Sequence, residues 1–185
     1  KTCAPPYDVL NDNDRANLVG QHAYNIVNID LPVATTTQTD AYFAAAETLQ
    51  NWIQNGVLVR DESPSFTLYR MQFRDTLGNQ RNIVGVLGGL EVVDEGAGGV
   101  LPHERTTPKA KTDRLDLTKA TDANLSPVWG LSLAPGLSEI LKAPAEIVGS
   151  YVDDQGVTHT VERVSDPTHI ASITDCIAQH PVIIA

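Results

Sequence analysis

The stretch EIVGSYVDDQGVTHTVERV, residues 146–164, decides the fold class. Two runs rich in β-branched residues, Glu146–Val152 and Val157–Val164, flank the tetrapeptide Asp153-Asp154-Gln155-Gly156. A short glycine-containing turn between two such runs predicts an antiparallel β-hairpin. At least part of the fold is therefore expected to be antiparallel sheet.

Further strands are expected on both sides of this hairpin. A second hairpin is predicted from Phe66–Phe73 and Arg81–Val93, which are joined by the turn DTLGN at residues 75–79. Shorter apolar runs predict four more strands: Ile26–Leu31 (stopped by Pro32), Val57–Val59, Val128–Leu133 and Val182–Ala185. The last of these is apolar throughout, which is typical of a central strand.

Helices are expected between these strands. The clearest is capped by Thr39 or Asp40 and ends at Gly56, with an apolar stripe assigned to core packing: Phe43, Ala46, Leu49, Trp52 and Ile53. The other helices are predicted over Asp12–Val19, Thr112–Asn124 (with Thr112 as the cap) and Pro167–Gln179. Hairpins mixed with helices favour an α+β, or mixed α/β, fold over a regular doubly wound sheet.

Composition and charge narrow the functional class. Of the 185 residues, 42% are hydrophobic and 19% are charged, which is typical of a globular chain rather than a disordered one. No apolar run reaches the ~20 residues of a membrane-spanning helix, and no secretory signal is visible, so we expect a cytoplasmic location. The net charge of −10 argues against a nucleic-acid-binding protein, because phosphate neutralisation needs a basic face. Cys3 and Cys176 have no metal-ligand spacing and are expected to be free thiols.

One segment reverses the acidic balance of the chain. Residues 103–119, HERTTPKAKTDRLDLTK, hold five of the 13 basic residues against three acidic ones, a local charge near +2. The segment leads into a predicted helix, whose start would offer free backbone N–H groups and a partial positive charge. It therefore predicts a site for a small anionic ligand, with four cationic candidates for binding its oxygens: Arg105, Lys109, Lys111 and Arg114. The alternative is that these charges form exposed ion pairs, which we favour slightly for the lysines.

Two residues of the same segment are candidates for proton chemistry. The ordinary pKa of a histidine suits His103 to proton transfer, although a lone histidine is more often a packed hydrogen-bonding residue. Glu104 can act as a general base or hold a magnesium ion. Thr106 adds a hydroxyl donor. The other four histidines, His22, His159, His169 and His180, show no ligand spacing and are expected to be structural or exposed.

Three blocks together resemble a bacterial and archaeal family catalogued as domain of unknown function 1015. They are APPYDVL (Ala4–Leu10), LPHERTTPKAKTDRLDLTKATDANLSPVWGL (Leu101–Leu131) and HPVIIA (His180–Ala185). The resemblance implies that the chain is the amino-terminal half of a larger protein, truncated at both ends, that forms one family domain or two subdomains, 1–100 and 101–185. It also adds Tyr7 and Asp8 of the first block to the candidate phosphate-binding set.

The same resemblance implies an activity. Members of that family continue into an Asp-Gly-His-His-Arg type motif, which is absent here and is similar to the signature of the ParB/sulfiredoxin-like fold. That fold includes nucleotide-binding partition proteins, sulfiredoxins and kinases of free serine. The resemblance therefore implies an ATP- or ADP-dependent phosphotransferase, with magnesium, that acts on a small polar metabolite such as an amino acid, and a chain that is inactive without the missing half. A non-catalytic nucleotide- or metabolite-binding regulatory module and a structural or partner-binding domain stay open as alternatives.

Overall fold

The computed structural model describes residues 2–34, 40–91, 93–94, 97–102 and 108–184, without the side chains of residues 108–111. The chain forms two compact units. Unit 1 comprises Lys1–Arg60 and Arg105–Pro127, and unit 2 comprises Asp61–Glu104 and Val128–Ala185. Each unit is assembled from two separate segments, so the division is not a single boundary near residue 100.

Unit 1 is helical in the part that the structure describes. A 3-10 turn, Tyr7–Val9, is followed by four helices: α1 Asp12–Gln21, α2 Val27–Asp30, α3 Ala41–Gln54 and α4 Pro108–Thr121. Asn11 and Asp14 form a capping box at the start of α1, and Asp40 accepts hydrogen bonds from two backbone N–H groups at the start of α3. These side chains satisfy donors that the first turn of a helix leaves open.

The strand predicted over Ile26–Leu31 is wrong, because these residues form α2. The side chain of Asn25 accepts a hydrogen bond from the backbone N–H of Val27, at 3.0 Å, and starts the helical turn. The backbone N–H groups of Asn28, Ile29 and Asp30 then donate to carbonyls three and four residues back. A short apolar run is compatible with helix or strand, and the asparagine before it decides between them here.

The strand predicted over Val57–Val59 is also wrong, because this segment closes the end of α3. The backbone N–H groups of Val57 and Leu58 both donate to the carbonyl of Trp52, at 2.8 and 3.1 Å. Gly56 adopts a φ of +70°, the left-handed conformation expected of a glycine that follows a helix. The predicted glycine cap is thus confirmed, and the residues after it belong to the same cap.

The hydrophobic core of unit 1 lies between α2, α3 and α4. Its buried members are Ile29, Ala45, Leu49, Trp52 and Leu117. The stripe predicted on α3 is therefore correct for Leu49 and Trp52 but wrong for Phe43 and Ile53, which are 53% and 50% exposed. The helix buries one face only, and those two side chains lie outside that face.

In the part of unit 2 that the structure describes there are two sheets and two helices. The strands are β1 Phe66–Arg74, β2 Gln80–Leu87, β3 Val100–Leu101, β4 Gly130–Ser132, β5 Glu146–Val152, β6 Thr158–Val164 and β7 Val182–Ile184, and the helices are α5 Leu137–Ile140 and α6 Pro167–Ala178. One sheet is antiparallel, in the order β2-β1-β6-β5. The other has the order β3-β7-β4, with β7 in the central position that its apolar sequence predicts.

Both predicted hairpins are confirmed, although β2 ends at Leu87 and not at the predicted Val93. The turns of the two hairpins share one design. Asp75 accepts hydrogen bonds from the backbone N–H groups two and four residues later, and Asp153 does the same in the second turn. A glycine three residues after each aspartate has a positive φ, +82° at Gly78 and +79° at Gly156. The aspartate and the glycine together fix the turn geometry, and with it the strand register.

The core of unit 2 lies between one face of the four-stranded sheet and its two helices. Leu68 and Val164 on the sheet pack with Leu141 and with Ile173 of α6, all of them buried. The Arg70 Nε donates to Glu162 Oε1 on this face at 2.7 Å, which pairs two charges between neighbouring strands. Helices on an antiparallel sheet confirm the predicted α+β class.

Candidate functional site

Arg114 is the centre of a polar cluster in unit 1. Its guanidinium donates to Asp113 Oδ2 through Nε and Nη2, at 2.8 and 2.6 Å. Through Nη1 it donates to the carbonyl and the Oδ1 of Asp30, at 2.9 and 3.1 Å. The ring of Tyr7 covers the guanidinium, with 3.7 Å between the Arg114 Cζ and the ring centroid. Four of the five N–H groups of Arg114 are thus engaged by carboxylate and carbonyl oxygens.

The two carboxylates have further donors. Asp30 is buried, and its Oδ1 also accepts a hydrogen bond of 2.5 Å from the hydroxyl of Ser126. The hydroxyl of Tyr42 donates to Asp113 Oδ1 at 2.7 Å. That hydrogen bond, together with burial and the negative charge of Asp113, raises the pKa of Tyr42. Tyr42 therefore keeps its proton and acts as a donor throughout the neutral range.

The local sequence explains why these groups meet. The chain around Tyr7 follows two prolines, and its start is tied to α2 by hydrogen bonds from Ile26 N–H to the Thr2 carbonyl and from Asn25 Nδ2 to the Cys3 carbonyl. Asp30 ends α2, and Arg114 contacts both its carboxylate and the ring of Tyr7. Arg114, in the second turn of α4, is held against both segments by the contacts above.

The charge of the cluster does not favour an anion at Arg114 itself. One guanidinium faces two carboxylates, so the three side chains sum to one negative charge when all are ionised. The side chain of Arg114 is 23% exposed, and its donors are directed to these carboxylates. In this arrangement Arg114 fixes the position of α4 relative to α2 and to the Tyr7 turn.

The structure describes only part of the predicted site. Tyr7 and Arg114 are in contact, and Asp8 lies beside Tyr7 in the same 3-10 turn with an exposed side chain. Lys109 and Lys111 are in the first turn of α4, but their side chains lie outside the described residues, and so do the four predicted residues that precede the helix: His103, Glu104, Arg105 and Thr106. The assignment of His103 and Glu104 to catalysis, and of the other seven residues to phosphate binding, stays a prediction.

The boundary of α4 differs from the predicted one. The helix begins at Pro108, four residues before the expected cap Thr112, and it ends at Thr121 rather than near Asn124. Proline is well suited to the first position of a helix, because the N–H that it lacks has no partner there. The sequence HERTT consequently comes directly before the helix instead of one turn away from it.

Asp30, Tyr42, Asp113 and Ser126 were missed as members of a site. Asp30 fell within a predicted strand, and Asp113 was counted only as a compensating charge. Tyr42 and Ser126 stand alone in the sequence and carry no motif. A single signal pointed to this arrangement, the occurrence of Tyr7 and Arg114 in two blocks of the same family pattern.

The described residues contain no group of three histidine, cysteine or carboxylate side chains arranged to hold a metal ion. Both oxygens of Asp113 and the Oδ1 of Asp30 already accept hydrogen bonds from cationic or hydroxyl donors. These carboxylates are therefore poor candidates for Mg²⁺, which requires several free oxygen ligands.

No helix in the described part of the chain has the length and apolar character needed to cross a bilayer. Cys3 and Cys176 are free thiols, as predicted.

The whole sequence matches the family model described as Protein of unknown function (DUF1015), over residues 1–185. The chain belongs to this family. The match confirms the resemblance drawn from the three sequence blocks. No curated protein and no solved structure matches the DUF1015 chain.

Proposed function

We propose that the start of α4, with residues 103–107 before it, binds the phosphate group of a nucleotide. In this proposal the DUF1015 chain is the phosphate-binding part of an ATP- or ADP-dependent phosphotransferase that acts on a small polar metabolite such as an amino acid. The proposal is supported by the order of the sequence: HERTT comes immediately before a helix of 14 residues. The first N–H groups of such a helix can donate hydrogen bonds to phosphate oxygens.

The observation that carries the proposal is the contact of Tyr7 with Arg114. It joins the first and the central family blocks, so the two most distinctive motifs of the chain share one cluster. Arg114 also holds α4 to Asp30 of α2 through Nη1. A helix fixed at two points by a half-buried arginine keeps its N-terminus in a defined position, which phosphoryl transfer requires because it depends mainly on positioning and charge neutralisation.

The proposed roles follow from this geometry and from the residue types. Arg105, Lys109 and Lys111 bind phosphate oxygens, and Thr106 donates from its hydroxyl. Glu104 acts as the base or as the magnesium ligand, with His103 as its helper. Arg114 is a positioning residue, because its donors are engaged by Asp30 and Asp113.

A second candidate function is non-catalytic nucleotide or metabolite binding. The observation that favours it is the closed state of the described cluster, in which Arg114 and both carboxylates satisfy one another. Such a cluster stabilises a binding surface without taking part in proton transfer. Saturable binding of ATP by the full-length protein, without any product over hours, distinguishes this candidate from a phosphotransferase.

Thermal stabilisation of the full chain tests the proposal. The melting temperature is measured with ATP and with ADP, each with and without Mg²⁺, for the wild type, Arg105→Ala and the control Lys119→Ala, which removes a positive charge from the last turn of the same helix. A ligand at 100 times its dissociation constant adds about 2.7 kcal/mol to the free energy of unfolding. We expect a shift for the wild type and for Lys119→Ala that is lost in Arg105→Ala. An equal shift in all three proteins, or none in any, contradicts the phosphate site.

A further inference from the structure

His159 lies at the centre of a second polar array, in unit 2. Its Nε2 is 3.0 Å from Asp153 Oδ2, and its Nδ1 is 2.6 Å from the hydroxyl oxygen of Tyr69. The imidazole is buried and stacks on two parallel rings, Tyr151 at 4.6 Å and Tyr69 at 5.8 Å between centroids. An aspartate, a histidine and a hydroxyl are therefore connected in series, as in the triads that activate a nucleophile.

The register of the sheet builds this array. Ile83, Met71, His159 and Tyr151 face one another across β2, β1, β6 and β5 as one cross-strand row. Tyr69 is two residues from Met71, so its side chain lies on the same face as His159. Asp153 begins the turn between β5 and β6, and its Oδ1 accepts the N–H groups of Gln155 and Val157. These bonds leave Oδ2 for the imidazole.

The positions of the protons on His159 and Tyr69 follow from their hydrogen-bond partners. The hydrogen bond to His159 and those from the turn N–H groups lower the pKa of Asp153. Asp153 is therefore a carboxylate at neutral pH and can only accept, so we assign the imidazole proton to Nε2. Nδ1 is then the acceptor, and the Tyr69 O–H donates to it.

We propose that Tyr69 is an activated hydroxyl that serves as a general base toward a small molecule with a hydroxyl or ammonium group. In this step the Tyr69 proton moves to His159 Nδ1, and the Tyr69 oxygen takes a proton from the substrate group. Tyr69 ends as it began, the substrate has lost one proton, and the imidazole has gained one positive charge beside the Asp153 carboxylate. No oxidant, reductant or metal is required for this balance.

The surroundings of Tyr69 fit a small ligand. Its partner on β2 is Gly85, and a Cβ at that position would meet no heavy atom of the described residues within 4 Å. Ile83 and Tyr151, at the two ends of the cross-strand row, are 44% and 41% exposed. Tyr69 itself is half-buried. The space above Gly85, next to Tyr69 on the neighbouring strand, can admit a ligand of a few heavy atoms.

This inference is independent of the proposed function, because none of its residues belongs to unit 1. A purely structural histidine would hold the same hydrogen bonds without changing the reactivity of Tyr69. The two interpretations therefore differ in the rate at which the Tyr69 oxygen attacks an electrophile.

Labelling of the full chain with phenylmethylsulfonyl fluoride measures that rate. The Tyr69 oxygen forms a bond to sulfur, the sulfur–fluorine bond breaks, and the phenolic proton passes through His159 to the buffer with fluoride as the leaving group. Peptide mass spectrometry compares Tyr69 with Tyr24, which is 45% exposed and serves as the internal reference. We expect Tyr69 to react about 100-fold faster or more, which is the low end of general-base assistance.

Variants assign the effect to the array. His159→Gln should reduce labelling of Tyr69 to the rate of Tyr24, whereas His169→Gln, at another unit 2 histidine that contacts the Ile140 carbonyl, should leave it unchanged. Circular dichroism confirms that each variant is folded. If His159→Gln does not fold, the pH profile of wild-type labelling decides, because an assisted Tyr69 reacts well below the ordinary tyrosine pKa of about 10. A Tyr69 rate equal to that of Tyr24, a rate unchanged in folded His159→Gln, or a profile that rises only near that pKa overturns the proposal.

Discussion

The ring of Tyr7 lies over the guanidinium of Arg114, with 3.7 Å between the ring centroid and the Arg114 Cζ. The two residues come from opposite ends of unit 1 along the sequence. Their contact is a cation–π interaction, and it is shielded because both side chains are largely covered. It connects the amino-terminal turn of this DUF1015 chain to the helix that follows HERTT.

This contact predicts different effects for two substitutions of Tyr7. Tyr7→Ala removes the ring and should lower the free energy of unfolding by about 1 to 2 kcal/mol, the range for partly desolvated cation–π pairs. Tyr7→Phe retains the ring and should stay within about 0.5 kcal/mol of the wild type. Urea unfolding followed by circular dichroism measures both. An equal loss in the two variants would assign the effect to the hydroxyl instead of the ring.

Arg114 is expected to be more sensitive than Tyr7. Arg114→Ala leaves the buried carboxylate of Asp30 without its cation, which costs about 3 kcal/mol or more for a largely desolvated pair. Arg114→Lys keeps the charge but loses the two-pronged contact with Asp113, so an intermediate loss is expected.

A double variant separates the charge from the packing. In Arg114→Met with Asp30→Asn neither buried charge remains, and the asparagine can still accept from Ser126. The loss in free energy of unfolding should therefore be smaller than that of Arg114→Ala, as measured by urea unfolding of the full chain. A loss below about 1 kcal/mol in Arg114→Ala would show that the cluster behaves as an exposed ion pair.

The hairpins could be predicted from the sequence because the information is local. Asp75 and Asp153 each precede a glycine by three residues, and both lie between runs with strand propensity. In contrast, the secondary structure of Ile26–Leu31 depends on the side chain of Asn25, which starts a helical turn. The conformation of Val57–Val59 depends on the carbonyl of Trp52. This carbonyl lies at the end of a helix and has no partner inside it, so it accepts from Val57 and Leu58 instead. Whether a short apolar segment forms a helix, a strand or a helix cap is decided by such neighbours and not by its own hydrophobic pattern.

The candidate sites were less predictable than the fold. Arg114 was identified as a functional residue by its charge and its block, but the sequence gives no sign that Asp30 would face it from another helix. His159 was expected to be structural or exposed, and it is buried between two tyrosines. Both arrangements depend on pairing between segments that are distant in the sequence, which the local pattern does not specify.

The turn glycines allow a test of the hairpin design. Gly156 has a φ of +79°, so Gly156→Ala should lower the free energy of unfolding by about 1 kcal/mol through backbone strain. Gly85 lies in β2 of the same sheet with space for a Cβ, and Gly85→Ala should be neutral or stabilise by a few tenths of a kcal/mol. Urea unfolding compares the two variants. Equal effects would mean that the conformation of Gly156 does not restrict its side chain.

Acid should weaken the sheet through the same turns. The pKa of Asp153 is lowered by the hydrogen bond to His159 and by turn N–H groups, and that of Asp75 is lowered by the backbone N–H of Asn79 and by Arg81. A carboxyl group whose pKa is lower in the folded than in the unfolded state stabilises the fold above its unfolded pKa. This stabilisation is lost as the pH falls from the ordinary aspartate pKa of about 3.9 through the lower folded pKa.

Single and double variants assign that loss to the two aspartates. The urea midpoint of the wild type should fall over this range, and Asp153→Asn and Asp75→Asn should each show a smaller fall, because an amide does not titrate. The two aspartates lie in different turns without a shared hydrogen bond among the described residues, so their effects should add in the double variant. If the urea midpoint of Asp153→Asn falls as much as that of the wild type, the Asp153 carboxylate is no better stabilised in the folded chain than in the unfolded one. The proton assignment at His159 would then lose its basis.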